Sequence, residues 1–225
     1  MDTDKKIKAI INCVETGTPY LDYASHTFLH DGPNRALQYT LSVGFTEYGG
    51  NLKKVIDLYI AKDGKYANEL SPYSAKIGKM PSLANDKRFD ELLMKASKED
   101  QLMKDAQDEV YDAVYYNPAM KWAENNGLKS PLARLVVFDS MLQSGKVFDF
   151  LRNRFQENIP RNGGDEHRWI SEYVRVRHDW LKSNGNESVR NSAYRTRTYK
   201  KLIESGNWDL VGNNTPVPVA TVRLV

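Results

Sequence analysis

Two carboxylates near the N-terminus have the residue types and the spacing for acid–base chemistry. Glu15 follows the apolar stripe of an N-terminal helix, and Asp31 opens the turn sequence DGPN 16 residues later. A helix end followed by a strand and a turn can hold two side chains on opposite walls of a groove. One carboxyl group would then donate a proton while the other acts as a base, which is what hydrolysis of a glycosidic bond requires. Considered alone, the same residues also fit a helix-end carboxylate and a turn-capping aspartate.

Short apolar patterns predict the elements that position these carboxylates. Apolar residues with helical spacing predict a helix over about residues 4–14. Runs of β-branched and aromatic residues bounded by turn formers predict strands over 23–29 and 37–45. Asn51 is a candidate N-cap for the next helix, which we expect to extend to about Lys62.

Most of the remaining chain has a helical pattern. With 225 residues, of which 40% are hydrophobic and 27% charged, the chain can bury a substantial core. Because helical patterns predominate, we expect a mainly α (α+β) fold. No linker separates independent domains, so we expect a single domain over residues 1–225. The predicted helices are 66–77, 86–96, 99–116, 118–127, 131–143, 147–157, 165–183 and 187–204.

Composition excludes several classes of protein. The single cysteine, Cys13, cannot form an internal disulfide, and no apolar run is long enough to span a membrane. The N-terminal sequence lacks the longer apolar segment of a signal peptide, so the sequence leaves the cellular location of the protein unknown. Basic residues number 16 against 19 acids up to Leu128, and 16 against 10 from Lys129 onwards. This asymmetry bears on partners rather than on the fold. The basic stretch 190–201 fits a solvated helix face, so no nucleic-acid partner is expected.

Two charged residues occupy positions where helical periodicity places apolar side chains. Asp139 lies on the apolar stripe of the predicted helix 131–143, and Arg177 lies on that of helix 165–183. A charge on an apolar face is costly unless it is paired, so the pattern predicts an ion pair between them. The alternative is that each side chain lies at an edge of the core and reaches water.

The chain resembles glycoside hydrolase family 46, the chitosanase family, whose fold belongs to the lysozyme-like superfamily. The resemblance is carried by Glu15, the Asp31-Gly32 turn, the pair Tyr39-Thr40, and the runs GFT at 44–46 and GNL at 50–52. It implies a two-lobed, mainly helical fold with a small antiparallel β-sheet beside a substrate cleft. It also implies that no metal or organic cofactor takes part.

The resemblance implies a role for several residues. Glu15 corresponds to the general acid and Asp31 to the general base of an inverting pair that cleaves β-1,4 bonds of an amino-sugar polymer. Thr40 matches the threonine that positions the attacking water, and Arg35 is the nearest match to an arginine beside the aspartate. Asp31 and Thr40 are nine residues apart, more than is typical of the family, so Glu47 remains an alternative base.

Further residues are implicated by the same resemblance. Tyr39, Asn51, Arg35 and Glu47 are expected to bind substrate. The family carries an aspartate and two arginines in a network that supports the catalytic glutamate. Asp139 and Arg177 match two of them, and the third is either Arg195 or Arg197.

The substrate is left open between two polymers. Chitosan is a polycation, and neutral Asn51 stands where chitosanases of the family carry an acid. Together with the basic C-terminal part, this fits a peptidoglycan glycan strand at least as well as chitosan, as in a phage lysin or a secreted toxin. Acids in the N-terminal part, including Asp22 and Asp57, keep chitosan in consideration. A non-catalytic glycan-binding module is a further alternative. We expect a monomer that acts on an extracellular or periplasmic polymer.

Overall fold

The computed structural model describes residues 2–212, 214–216 and 221–223. The chain divides into two compact units. Unit 1 comprises residues 1–20 and 115–225, and unit 2 comprises residues 21–114. No helix within the described ranges is long and apolar enough to cross a lipid bilayer.

The N-terminal helix α1 of unit 1 spans Thr3–Thr16, which confirms the predicted helix. Its isoleucines and Val14 are buried. Gly17 ends the helix in the left-handed region, at φ 79°, where glycine avoids the strain that a side chain would cause. The Gly17 amide donates to the carbonyl of Cys13 at 3.0 Å. Glu15 therefore lies in the last turn of α1.

Unit 2 begins with a three-stranded antiparallel sheet in the order β1-β2-β3. The strands are β1 (His26–Leu29), β2 (Gln38–Leu41) and β3 (Phe45–Thr46). Both predicted strands were therefore too long. β2 ends at Leu41 because Ser42 has a positive φ of 49°, which turns the chain into β3 instead of extending the strand. The connection between β1 and β2 carries Asp31.

The rest of unit 2 is helical. Its helices are α2 (Asn51–Ala61), α3 (Ala67–Ser74), α4 (Lys87–Glu99) and α5 (Gln101–Tyr111), with 3₁₀ turns at Pro33–Arg35 and Leu83–Asn85. A π-helical turn at Asp112–Tyr116 follows α5 in the chain. α2 packs against α3 and α5. The prediction that Asn51 caps α2 was wrong, because Gly50 holds the cap position and Asn51 is the first helical residue. The Asn51 amide oxygen instead accepts from Lys54 Nζ at 3.2 Å.

Unit 1 resumes with six helices and a short strand pair. These elements are α6 (Asn117–Asn125), α7 (Pro131–Ser144), α8 (Asp149–Arg152), α9 (Glu166–Lys182), α10 (Glu187–Asn191), α11 (Tyr194–Glu204), β4 (Asn214–Pro216) and β5 (Thr221–Arg223), with a 3₁₀ turn at Pro160–Asn162. α7 is central and packs against α1, α6, α9 and α11. Ser130 caps its start, since the Ser130 side chain accepts from the amide of Ala133 at 3.3 Å, and Pro131 is the first helical residue.

Two predicted helices of unit 1 differ from the structure. The helix predicted over 147–157 is only one turn long and ends at Arg152, and Phe155 beyond it packs edge-on against the ring of Trp169. The helix predicted over 187–204 is broken between α10 and α11. At the break the Ser192 hydroxyl donates to the carbonyl of Val189 at 2.6 Å, a local bond that competes with helix continuation.

Candidate active site

Glu15 presents a partly exposed carboxylate at the end of α1. Its side chain is 27% exposed, and Oε1 lies 2.6 Å from a guanidinium nitrogen of Arg195 on α11. The C-terminal end of a helix carries partial negative charge, which opposes a carboxylate there. Arg195 supplies the compensating positive charge from a nearly buried position. Glu15 is therefore held on one side and open to solvent on the other.

A buried charge network lies behind Glu15. Asp139, on α7, has no exposed surface, and its two oxygens contact Arg177 at 2.5 Å and Arg195 at 2.8 Å. The same Arg195 nitrogen contacts Glu15, so it bridges the two carboxylates. The ion pair between Asp139 and Arg177 that periodicity indicated is thus present. Arg195, rather than the exposed Arg197, is the second arginine.

The network favours the charged forms of its buried members. Burial by itself would raise the pKa of the Asp139 carboxyl, but the charges of Arg177 and Arg195 outweigh it and hold that pKa below its usual value. Burial opposes the charge of Arg195 as well, yet Asp139 and Glu15 raise its guanidinium pKa. The network therefore joins two arginines to two carboxyl groups, and of these two carboxyl groups only that of Glu15 reaches solvent.

Asp31 lies at the exposed turn between β1 and β2 of unit 2. Its Oδ1 accepts a hydrogen bond from the side-chain amide nitrogen, Nε2, of Gln38 at 2.8 Å. Gln38 is buried, and its own oxygen accepts from the backbone amide of Tyr48 at 3.2 Å. A Cβ on Gly32 would lie 2.8 Å from both the Ala36 carbonyl oxygen and the Tyr48 ring, so the turn requires glycine. The Gln38 side chain and the tight turn at Gly32 therefore hold the Asp31 carboxylate in a defined position.

Thr40 shares a face of β2 with the residue that holds Asp31. Side chains alternate along a strand, so Gln38 and Thr40 point to the same side. Thr40 is paired with Thr27 on β1 and with Thr46 on β3. The threonine hydroxyl and the anchored Asp31 carboxylate therefore both belong to the Gln38 side of this sheet.

Arg35 lies in the connection before β2. The residue is exposed, and its backbone has a positive φ of 61°. Its carbonyl oxygen lies 3.2 Å from the Nδ1 atom of His30. This backbone conformation turns the chain within the long connection between Asp31 and Thr40.

Glu47 is a buried carboxylate within unit 2. It has no exposed surface, and its oxygens accept from the Ser82 hydroxyl at 2.6 Å, the Leu83 amide at 2.9 Å and the Tyr39 amide at 3.3 Å. A carboxylate surrounded by donors in this way ties β2 to the 82–83 segment. The predictions that Glu47 binds substrate or serves as the base disagree with this placement.

Tyr39 is a core residue rather than a surface one. It has no exposed surface, its hydroxyl donates to Asp90 at 2.6 Å, and its ring packs edge-on against Phe89. Burial raises the pKa of the Tyr39 hydroxyl well above its ordinary value, so the group stays protonated. The expectation that Tyr39 binds substrate stays a prediction, and the burial of this side chain argues against it. Because Tyr39 and Thr40 are neighbours on a strand, only one of them can face the Gln38 side.

A family model settles the assignment of the chain. The model for glycosyl hydrolase family 46 matches residues 9–217. The chain belongs to glycosyl hydrolase family 46. It is therefore a glycoside hydrolase, and its fold is mainly α-helical and lysozyme-like, with a small antiparallel sheet.

Relatives agree with this assignment. A chitosanase from Bacillus subtilis (strain 168) is 28% identical over an alignment of 240 residue positions, gaps included. The alignment covers 94% of this chain and 80% of that protein. The native chitosanase from Bacillus subtilis MY002 superposes with a TM-score of 0.76 at 26% identity, covering 97% of this chain and 95% of the other. A Gynuella sunshinyii family 46 chitosanase in complex with chitotetraose gives a TM-score of 0.79 at 24% identity, covering 100% and 99%, and this likeness concerns the fold alone.

The sequence patterns did not identify two residues of this family 46 chain that contact the candidate catalytic segments. Gln38 anchors Asp31, and Tyr194 binds the backbone next to Glu15 through a hydrogen bond to the Val14 carbonyl at 2.7 Å. A signal for Gln38 existed, because it lies two residues before Thr40 on the same strand. No local pattern marks Tyr194, since its partner is 180 residues away.

Proposed function

We propose that this family 46 hydrolase is an endo-acting chitosanase that cleaves β-1,4 bonds between amino-sugar units with inversion of configuration. The observation that carries the proposal is the ion network of Glu15, Arg195, Asp139 and Arg177, which supports one partly exposed carboxyl group. The chitosanase names of the relatives support the choice of polymer. Residues 1–225 would act as one catalytic domain in this proposal.

Glu15 is the general acid of the proposed reaction. Cleavage of a glycosidic bond leaves an alkoxide on the departing sugar unless a proton reaches the bridging oxygen. Glu15 reaches solvent on one side and contacts a cation on the other. When Glu15 has given up its proton, Arg195 stabilises the resulting carboxylate, and Asp139 holds Arg195 in position.

Asp31 is the general base in this mechanism. An inverting hydrolase uses its second carboxylate to deprotonate a water molecule that attacks the anomeric carbon from the face opposite to the leaving group. Gln38 fixes one oxygen of Asp31 and leaves the side chain exposed. Thr40, on the same strand face as Gln38, supplies a hydroxyl that positions the water, and Arg35 provides positive charge in the same connection.

The substrate and the stereochemistry are tested with the wild-type protein. Soluble chitosan and purified peptidoglycan are digested in parallel, new reducing ends are counted, and the anomeric protons of the first products are followed by NMR. We expect reducing ends from chitosan and initial α-anomers, because inversion of a β bond yields the α product. Activity on peptidoglycan alone would replace the proposed substrate. Binding to either polymer without new reducing ends would favour a glycan-binding module.

The choice of base is tested by a pair of variants in unit 2. We expect Asp31→Asn to lower kcat on chitosan by about 100-fold with an unchanged melting temperature, since an exposed turn residue loses only its basicity. Glu47→Gln should instead lower the free energy of unfolding by about 1–3 kcal/mol, because an amide NH₂ group would face buried donors. Kinetics and urea unfolding of both variants check this. The assignment of the base is lost if Glu47→Gln abolishes turnover at full stability while Asp31→Asn remains active.

A further inference from the structure

Tyr194 contacts the backbone that carries Glu15. Its hydroxyl donates to the carbonyl oxygen of Val14 at 2.7 Å, and its ring packs against Cys13 and Val14. Carbonyl groups in the last turn of a helix have no partner within the helix. Burial raises the pKa of the Tyr194 hydroxyl, so the group remains a donor. One of the open carbonyl groups at the end of α1 is therefore bound by a side chain of α11.

Consecutive residues of α11 hold consecutive residues of α1. Tyr194 binds the backbone of Val14, and Arg195 contacts the carboxylate of Glu15. The first contact fixes where the Glu15 main chain lies, and the second fixes where its carboxylate points. A single contact to the carboxylate would leave the end of the helix free to fray, as final helical turns commonly do.

The start of α11 is itself anchored to the centre of unit 1. Ser192 lies just before α11, and its hydroxyl oxygen accepts from the Gln143 side-chain amide of α7 at 2.7 Å. The Gln143 oxygen accepts in turn from the buried Arg177. Tyr194 therefore acts from a segment that two helices hold in place.

We propose that Tyr194 is a positioning residue for the general acid, which it serves by fixing the last turn of α1 through the Val14 carbonyl. The inference rests on the proposed function, because it assumes that Glu15 donates the proton. Tyr194 does not contact the reacting atoms in this account. Its contribution concerns proton delivery to the leaving group and not the binding of the sugar chain.

The test is Tyr194→Phe, which keeps the ring packed and removes only the hydroxyl. We expect kcat on chitosan to fall about tenfold, because small displacements of a catalytic group are costly, while KM stays within about twofold of the wild type. Circular dichroism and the melting temperature verify folding. Tyr66→Phe is the matched control, since it removes a tyrosine hydroxyl bonded to Glu99 in unit 2, and we expect it to leave kcat unchanged.

A second substrate separates positioning from a general structural role. The β-fluoride of a glucosamine oligosaccharide releases fluoride with little need for protonation, so its hydrolysis depends weakly on the general acid. Tyr194→Phe should hydrolyse the fluoride within about twofold of the wild-type rate while remaining impaired on chitosan. In the background of Glu15→Gln, the same substitution should cause no further loss on chitosan, because the group that Tyr194 positions is absent.

The outcomes separate the two proposals. A wild-type protein that leaves chitosan uncleaved would overturn the proposed function. If the wild type cleaves chitosan, the positioning role is overturned by a Tyr194→Phe variant with wild-type kcat. It is equally overturned by equal losses on chitosan and fluoride, or by a further loss in the Glu15→Gln background.

Discussion

Replacing Glu15 by glutamine is expected to lower kcat on chitosan by about 1,000-fold with little change in melting temperature, within the range usual for loss of a general acid. The amide has the shape of the carboxyl group but donates no proton to the leaving oxygen. Its oxygen can still accept from Arg195, and the side chain is partly exposed, so the helix end should remain folded. KM should change little, because the lost interaction is made in the transition state.

Reducing-end release under saturating chitosan measures this effect. Glu124→Gln is the control, because Glu124 is an exposed glutamate on α6 of the same unit, and the same substitution there should leave kcat unaltered. Circular dichroism and thermal unfolding of both variants verify the fold. A Glu15→Gln protein with wild-type turnover would remove Glu15 from the mechanism.

Replacing Asp139 by asparagine is expected to lower the free energy of unfolding by about 3–5 kcal/mol, the usual cost of breaking a buried ion pair from one side. Asp139 has no exposed surface and contacts both Arg177 and Arg195. Its loss leaves two cations close together with only the Glu15 carboxylate to compensate. Turnover should fall as well, because Arg195 loses the anchor that holds it against Glu15.

The same network gives a pH dependence with a definite sign. The pKa of Asp139 is lower in the folded protein than in the unfolded chain. Its stabilising contribution is therefore complete above the unfolded pKa of about 3.9 and is lost as the pH falls through the folded value. The difference in unfolding free energy between wild type and Asp139→Asn should be constant at neutral pH and should shrink below about pH 4.

Urea unfolding at several pH values measures both effects. Asp179→Asn is the matched control, since Asp179 also contacts an arginine, Arg175, but its side chain is 60% exposed. That variant should lose no more than about 1 kcal/mol, as is usual for surface pairs. An Asp139→Asn protein as stable as this control would contradict the buried network.

Features encoded by local spacing were predicted correctly. The isoleucine pattern predicts α1, and the Ser130-Pro131 pair predicts the start of α7. The positions of Asp139 and Arg177 on apolar stripes predict their burial and pairing. Each of these follows from one helical period or one cap, which a few neighbouring residues specify.

The residues Glu47 and Tyr39 show what local spacing does not decide. Both belong to the segment that carries the family resemblance, yet both are buried and bonded to residues between positions 82 and 90. Which carboxylates and hydroxyls reach solvent depends on what packs over them. That covering comes from segments far along the chain.

The sequence by itself determined the family, the mainly helical class, the likeness of Glu15 and Asp31 to a catalytic pair, and the ion pair behind Glu15. Only the tertiary structure decided that Arg195 rather than Arg197 joins this pair, that Gln38 holds Asp31, and that Tyr194 binds the end of α1. The physical reason is that long-range contacts in the chain are not specified by local sequence patterns. A helical or strand period states which face a side chain occupies, whereas its partner on that face depends on how distant elements pack together.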